Sequence, residues 1–484
     1  MMQPIRTYNL PPFSELRIIT NESFSSIPLK PSITLINKNE NESAEIFGKE
    51  LVPGVEVPLN EGERIAIYTW SGCTLQIKGS TLQEYESYDI NIMKEYLNII
   101  NLLNIKRQLS TINNTFGPRI LVTGSPSSGK SSFCTILCNY ALRFSWKPLF
   151  IDADPRSSCD KSSIKLYPGT VGCVLYDNMD TAANPLLYYY GYSYYQDNEF
   201  LYLHLMKLLN VNVELMLYNN DNVIKSSGIV INAPYECNKD MIVKLCKIYK
   251  VSVIVVIDSP SIHQELIKHY KNERNNIDIN IANLAYNNII INNENDGKPD
   301  KAQEAGKLSD TNENAKNSDD EMLILSSSKL EGVISVDYNR LKYINNMNWN
   351  KYFEINNLGR NHVIKVNSDT INFIYIDIIE PLTKDALPTN EDYVMKHKEM
   401  YCNVYNDDLL LLNNLIVAVP ATDDIKLIPY TNILSFFHIS SIESNATEDN
   451  TFTISFCCQT NYSPSSLPKY LLLPRDFKTL KYNP

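Results

Sequence analysis

The stretch Gly124-Ser-Pro-Ser-Ser-Gly-Lys-Ser131 decides the fold, because it fits G-x-x-x-x-G-K-[ST], the pattern of a phosphate-binding loop. The apolar run Ile120-Leu-Val-Thr123 precedes it, and a segment with helical apolar spacing, Phe133 to Arg143, follows. That strand, loop and helix order matters, since such a loop presents backbone N–H groups to phosphate oxygens at a helix N-terminus. Gly124 and Gly129 allow backbone conformations and a close approach that a side chain would block. Ser127, Ser128 and Ser132 fill out the cradle. Lys130 has the reach for β- and γ-phosphates, and the Ser131 hydroxyl is suited to Mg²⁺. The stretch predicts a nucleoside triphosphate site.

Outward from the loop, strands alternate with helices over residues 101–362. Pro148-Leu-Phe-Ile-Asp152, Gly228-Ile-Val-Ile-Asn232 and Val251-Ser-Val-Ile-Val-Val-Ile-Asp258 are continuous apolar runs. Such runs fit strands buried on both faces, as in a parallel α/β sheet. Asp240 to Tyr249 supplies a crossover helix between the last two. The chain is Asn-rich from about 275 to 321, and residues 293–320 are polar and acidic enough to predict a disordered surface insertion.

The flanks read differently. Over residues 1–100, Glu15-Leu-Arg-Ile-Ile19, Ser32-Ile-Thr-Leu-Ile36, Arg64 to Trp70 and Thr74-Leu-Gln-Ile-Lys78 recur as short strands with turn residues between them. A small β-sandwich is the expected architecture. Residues 363–484 return to strand patterning, for example Leu415 to Pro420 and Thr451 to Phe456, and predict a C-terminal β-rich domain. The fold class is therefore α/β: a central P-loop domain with a parallel sheet, flanked by a β-sandwich and a β-rich domain.

Bulk properties narrow the function. A chain of 484 residues suggests two to four domains. Its net charge of −11 argues against coating nucleic acid by surface charge alone, so any RNA contact needs a local groove. No run of 18 uninterrupted apolar residues predicts a membrane span, and the N-terminus lacks a signal peptide's apolar core. The ten cysteines are scattered without C-x-x-C spacing, which fits free thiols in a reducing compartment.

Local sequences then point to a family. Ala44-Glu-Ile-Phe-Gly-Lys-Glu-Leu51, Ile67-Tyr-Thr-Trp-Ser-Gly-Cys73, the P-loop and Tyr167-Pro-Gly-Thr170 together resemble the Clp-type RNA 5′-hydroxyl polynucleotide kinase family. That family includes the nucleotide-binding subunit of the pre-mRNA cleavage and polyadenylation machinery, in cleavage factor IA or II. Lys351-Tyr-Phe353 and Ala386-Leu-Pro388 sit where further, weaker landmarks belong. The resemblance implies ATP and Mg²⁺ as cofactors, with the N-terminal domain contributing an acidic residue near the adenine and a basic one on the opposite strand. Those positions match Glu15 and Arg64. Asp154 matches the family's catalytic carboxylate, with Asp152 as a partner behind it and Lys130 as the catalytic lysine if the chain is active. The resemblance also implies nuclear location and other cleavage-factor subunits as partners. The chief one is the scaffold subunit that binds the RNA polymerase II tail. RNA is an open partner, and no membrane is implied.

On the acceptor side the match to active kinases fails. Where they carry a Gly-Gln element after the key aspartate, this chain reads Pro155-Arg-Ser-Ser158. Where they carry a tryptophan that clasps the RNA base, it reads Ala233-Pro-Tyr235-Glu236, so only Tyr235 could stack. Their arginine-rich lid corresponds to Gly332–Phe353, whose cations are Arg340, Lys342 and Lys351. An arginine on a transferring phosphoryl group contributes about 10³–10⁵ in rate, so these losses favour an ATP-holding scaffold. An active RNA 5′-hydroxyl kinase stays open as the alternative, with Tyr235, Arg340 and Lys342 as substitutes. An unrelated P-loop NTPase switch is the third reading.

Overall fold

Two-residue alternation builds the N-terminal sandwich. In the strand Ser14–Ile19, Leu16 and Ile18 enter the core while Glu15, Arg17 and Ile19 fall on the other face. The computed structural model describes residues 4–22, 30–36, 41–88, 90–156, 166–179, 185–219, 221–273, 322–354, 362–379, 399–444, 452–459, 467–476 and 482. The insertion expected at 293–320 and the landmark Ala386–Pro388 lie outside these residues. Two antiparallel sheets, of four and five strands, close over a core that includes Leu10, Leu16, Ile33, Ile67 and Leu75.

The central sheet is parallel where the sequence predicts it. Leu323–Ser327, Val253–Ile257, Arg119–Gly124, Ile229–Asn232 and Leu149–Asp152 run side by side in that order, all parallel. It then becomes mixed. Thr170–Leu175 and Leu186–Tyr189 add antiparallel, and Leu187 pairs with Ile433 of the long strand Ile433–Ser444. The C-terminal β-rich region therefore continues the central sheet, which reaches 14 strands among the described residues.

An aromatic cluster reinforces that join. Tyr167 stacks on Trp349 with ring centroids 5.4 Å apart and an interplanar angle of 17°. Tyr352 and Phe436 pack edge-on against the same ring at 5.0 and 5.3 Å. Two stretches noticed only as family landmarks, Tyr167–Thr170 and Lys351–Phe353, thus meet in one core.

The other join combines hydrogen bonds with packing, since Tyr68 of the sandwich is buried in the core of the two helices it meets, with Phe47 and Trp70 against it. Helix α1 (Ile92–Asn113) spans the position near residue 100 where the first domain was expected to end. Its face with Tyr96, Ile99 and Leu103 shares a core with α2 (Lys130–Arg143), the helix after the P-loop. The sandwich docks on α2 through hydrogen bonds. The buried Glu45 carboxylate accepts from Tyr140 Oη at 2.8 Å and from Arg143 Nη1 at 2.8 Å. Trp70 Nε1 donates to Tyr140 Oη at 3.0 Å, and Asn139 Nδ2 donates to the Phe47 carbonyl at 2.8 Å. Gly48 lies so close that a Cβ there would stand 2.9 Å from the Tyr140 ring. The motifs at 44–51 and 67–73 are the surface that seats the sandwich on the P-loop helix.

One helical stretch, Tyr195–Asn219, is long and apolar enough to cross a membrane by length and composition. Its residues Leu201, Tyr202, Leu205, Met206, Leu209, Val213 and Leu217 are buried in the main core against the sheet. The run-length argument missed it because polar residues such as His204, Lys207 and Asn210 interrupt the apolar positions.

Candidate functional site

The site begins where a buried strand ends. Every residue of Arg119–Gly124 is buried, and at Gly124 the backbone turns with φ +145°. A Cβ there would lie 2.0 Å from the Ile257 carbonyl oxygen of the adjacent strand, so only glycine lets the loop leave the sheet here. Ser127 takes φ +52°, and Gly129, at φ +87°, starts α2 with no side-chain cap. First-turn N–H groups without a side-chain cap are what a phosphate can satisfy. Lys130 Nζ folds back on the loop, donating to the carbonyls of Gly124 at 3.2 Å, Ser125 at 3.0 Å and Tyr235 at 3.0 Å. The Ser128 hydroxyl is buried with no hydrogen-bond partner among the described residues.

At the carboxyl ends of neighbouring strands lies a polar chain. Asn232 Nδ2 donates to Ser131 Oγ at 3.2 Å and to Asp152 Oδ1 at 3.0 Å. The same Asp152 oxygen accepts the Asp154 N–H at 3.1 Å. Asp154 is buried, and burial pushes its carboxyl above the usual carboxylate range. The Arg156 N–H, 3.2 Å from Oδ1, acts in the opposite sense, as does the charge of Lys130.

A cavity of about 190 Å³ opens over the loop. Its floor is Ser127 to Ser132, with Asp154 and Tyr235 at one side. One wall comes from the sandwich: Glu15, Arg17, Arg64, Tyr85 and Phe47. Glu15 is buried and ion-paired with Arg17 Nε, and burial raises its carboxyl above the ordinary range. Arg64, which pairs with Ile19 in the adjacent strand, keeps its buried Nε without a partner among the described residues. The opposite wall is the segment Leu330–Val336 with Arg340. This wall rests directly on the loop, since a Cβ on Gly129 would stand 2.9 Å from Val333. It is tied to the sandwich as well. The Arg340 guanidinium donates to the Gly62 carbonyl and reaches Glu22 at 3.5 Å, while Tyr343 Oη donates to the Glu22 carbonyl at 2.7 Å.

Glu15, Arg64, Ser127, Ser128, Gly129, Lys130, Ser131, Ser132 and Asp154, all named from the sequence, thus line one cavity. Gly124 shapes the loop from behind without lining it. Of the lid cations, Arg340 joins the lining, whereas Lys342 and Lys351 do not. Sequence reasoning missed Arg17, Phe47 and Tyr85. Alternation signals Arg17, two residues beyond Glu15 on one strand; Phe47 lay unused inside a quoted motif.

Comparison with known proteins places this arrangement. Residues 9–110 match the model for the N-terminal beta-sandwich domain of polyadenylation factor. Residues 124–298 match that for the mRNA cleavage and polyadenylation factor CLP1 P-loop, so the two together span more than half of the chain. The chain belongs to the Clp1 family. The Clp1 homolog of Anopheles gambiae is 30% identical over 252 residues, which is 49% of this chain and 58% of that protein. The polyribonucleotide 5′-hydroxyl-kinase Clp1 of Gallus gallus is 29% identical over 235 residues, 46% of this chain and 53% of its own length. The matches thus span little more than half of these Clp1 relatives. A solved complex of wild-type Clp1p with Pcf11p aligns over 98% of this chain at a TM-score of 0.69 and 16% identity, a likeness of fold.

Proposed function

We propose that this chain is an ATP-binding subunit of the pre-mRNA 3′-end cleavage and polyadenylation machinery, holding its nucleotide as a structural ligand with weak or no kinase activity. The observation that carries this reading is the state of the lid. Arg340, the lid arginine that lines the cavity, has its guanidinium engaged with Gly62 and Glu22 of the sandwich. Such an arginine joins domains around a ligand, whereas a phosphoryl-transfer catalyst needs its cations over the transferring group.

The donor set fits a nucleoside triphosphate. The loop N–H groups and Lys130 receive phosphate oxygens, and Glu15, Arg17 and Arg64 with the apolar Phe47 and Ile334 form the base side. Ser131 Oγ and the Asp152 carboxylate, joined through Asn232, are the groups that would hold Mg²⁺. Mg²⁺ there would supply charge neutralisation between phosphate oxygens. The solved Clp1p–Pcf11p complexes support a cleavage-factor scaffold as partner, and a role in mRNA 3′-end processing supports nuclear function.

One observation favours the kinase alternative. Asp154 is buried beside Lys130 and holds a proton more readily than an ordinary carboxylate, as a general base for a 5′-hydroxyl should. The test is to release and identify the nucleotide carried by the purified chain, then to incubate the chain with Mg²⁺-ATP and a 5′-hydroxyl RNA oligonucleotide. Intact ATP without RNA phosphorylation upholds the scaffold. Robust phosphorylation lost in Asp154→Asn overturns it.

A further inference from the structure

Arg156 is 6% exposed, and its Nε and Nη1 have no hydrogen-bond partner among the described residues. Burying a guanidinium with open donors is costly unless an anion completes it. Arg156 does not itself line the cavity, but its surroundings connect it to the phosphate loop. The guanidinium carbon lies 3.9 Å above the ring centroid of Tyr235, and Nη2 reaches the Val336 carbonyl of the lid wall at 3.5 Å. Tyr235 is itself part of the phosphate site. Its hydroxyl is 3.2 Å from Ser127 Oγ in the loop, its carbonyl accepts from Lys130, and Lys130 Nζ is 5.8 Å from its ring centroid. One tyrosine therefore spaces two cations, the loop lysine and the Arg156 guanidinium. The backbone N–H of Arg156 is bonded to Asp154, which fixes the start of the side chain at the same point.

We infer that Arg156, stacked on Tyr235, is the second cation for the terminal phosphate of the bound nucleoside triphosphate, so that this chain prefers a triphosphate to a diphosphate. The inference rests on the nucleotide-site reading above and deepens it. Stacking has two effects. It holds the guanidinium plane at little entropic cost. It also occupies a face of Tyr235, so that face cannot stack an RNA base. The acceptor side is thus rebuilt as a phosphate anchor, and the arginine sits where the family resemblance registered only a departure from Gly-Gln. In this position Arg156 is a binding residue acting on the nucleotide, independent of any transfer to RNA.

The experiment is calorimetric titration of the full chain with Mg²⁺-ADP and with the Mg²⁺ complex of the β,γ-imido analogue of ATP. Wild type is compared with Arg156→Met, which keeps much of the stem, and Arg156→Lys, which keeps the charge. Arg156→Met should weaken the triphosphate analogue at least about tenfold and change ADP by less than about twofold, the loss of a charge-assisted hydrogen bond to the terminal phosphate alone. Arg156→Lys should recover part of the difference. The ADP titration also confirms that each variant is folded. Equal weakening of both nucleotides would reduce Arg156 to a packing role and overturn the inference. Unchanged affinities, or a loss confined to binding of a 5′-hydroxyl RNA oligonucleotide, would do the same. If the wild type binds neither nucleotide, the reading of the cavity itself fails before any variant is compared.

Discussion

The central domain has two neighbours and holds them in opposite ways. The C-terminal region is joined through a shared sheet and an aromatic core, with Leu187 paired to Ile433 and Tyr167 stacked on Trp349. The N-terminal sandwich is joined mainly through side chains: hydrogen bonds on α2 centred on Glu45, the rings of Phe47, Tyr68 and Trp70 packed beside them, and Arg340 and Tyr343 reaching its other side. Moving the first join would open the sheet at Leu187–Ile433 and pull apart a buried aromatic core. The second can loosen one side-chain contact at a time. The cavity lies along the second join, and ligands at such boundaries gain contacts from both bodies. A nucleotide bound there, as proposed, would become part of what holds the sandwich in place.

The deepest break in this comparison comes from the aromatic core. Trp349→Ala should destabilise the chain by about 3–5 kcal/mol, since it empties a buried site where Tyr167, Tyr352, Phe353 and Phe436 converge. Denaturant unfolding should show the central and C-terminal parts shifting together. Two separated transitions would mean that they are not one cooperative unit.

Lys130→Ala comes next. At ligand concentrations near 100 times Kd, wild type should gain about 2.7 kcal/mol from ATP, and the variant should lose most of that gain. The check is the ATP-induced rise in melting temperature, which should vanish while the unliganded melt stays close to wild type.

Glu45→Ala should cost about 1–3 kcal/mol, because Tyr140 and Arg143 lose a buried acceptor. Its signature is local: faster amide exchange where the sandwich meets α2, and weaker ATP binding although Glu45 does not line the cavity. Glu15→Ala and Arg64→Ala should also weaken ATP binding, without the exchange effect. Unaltered exchange in Glu45→Ala would show that the polar join is not what seats the sandwich.

The smallest effect concerns pH and the rigid side. Burial lowers the His438 pKa from 6.5 to about 4, with its ring packed on Tyr482 at 4.7 Å. The folded chain keeps this imidazole neutral while the unfolded chain takes up a proton. Its contribution is therefore complete above pH 6.5 and is lost as pH falls toward 4. At pH 5.5 the loss is about 1 kcal/mol. His438→Phe should flatten that part of the stability profile relative to wild type, measured by urea unfolding across the range.

The parts of this fold that follow local rules were legible in the chain. The glycines of the loop, the β-branched runs of the parallel strands and the alternation of the sandwich each encode their element within a few residues. Glu15 and Arg64 were found through likeness to a family, since nothing local tells that a strand face will meet a loop more than 50 residues away. The shared sheet was not legible at all, because one edge pairing between Leu187 and Ile433 leaves no periodic trace. Arg156 was read as the absence of a motif. Its burial beneath a tyrosine is a product of three separate segments, visible only once they are folded together.

The pairing of Leu187 with Ile433 also bears on how this chain is made and how it fails. Until residue 433 has been synthesised, the strand Leu186–Tyr189 remains the outer edge of a half-built sheet, carrying the apolar rings of Tyr188 and Tyr189. An uncovered, hydrophobic edge of this kind templates pairing with other chains. A message cut short between the helix that ends at Glu354 and residue 433 would thus yield a product with an intact P-loop and a sticky flank. Such a fragment should reach the cell's chaperones and proteases as an aggregate-former, and truncation would act through loss of the protein rather than through loss of its site.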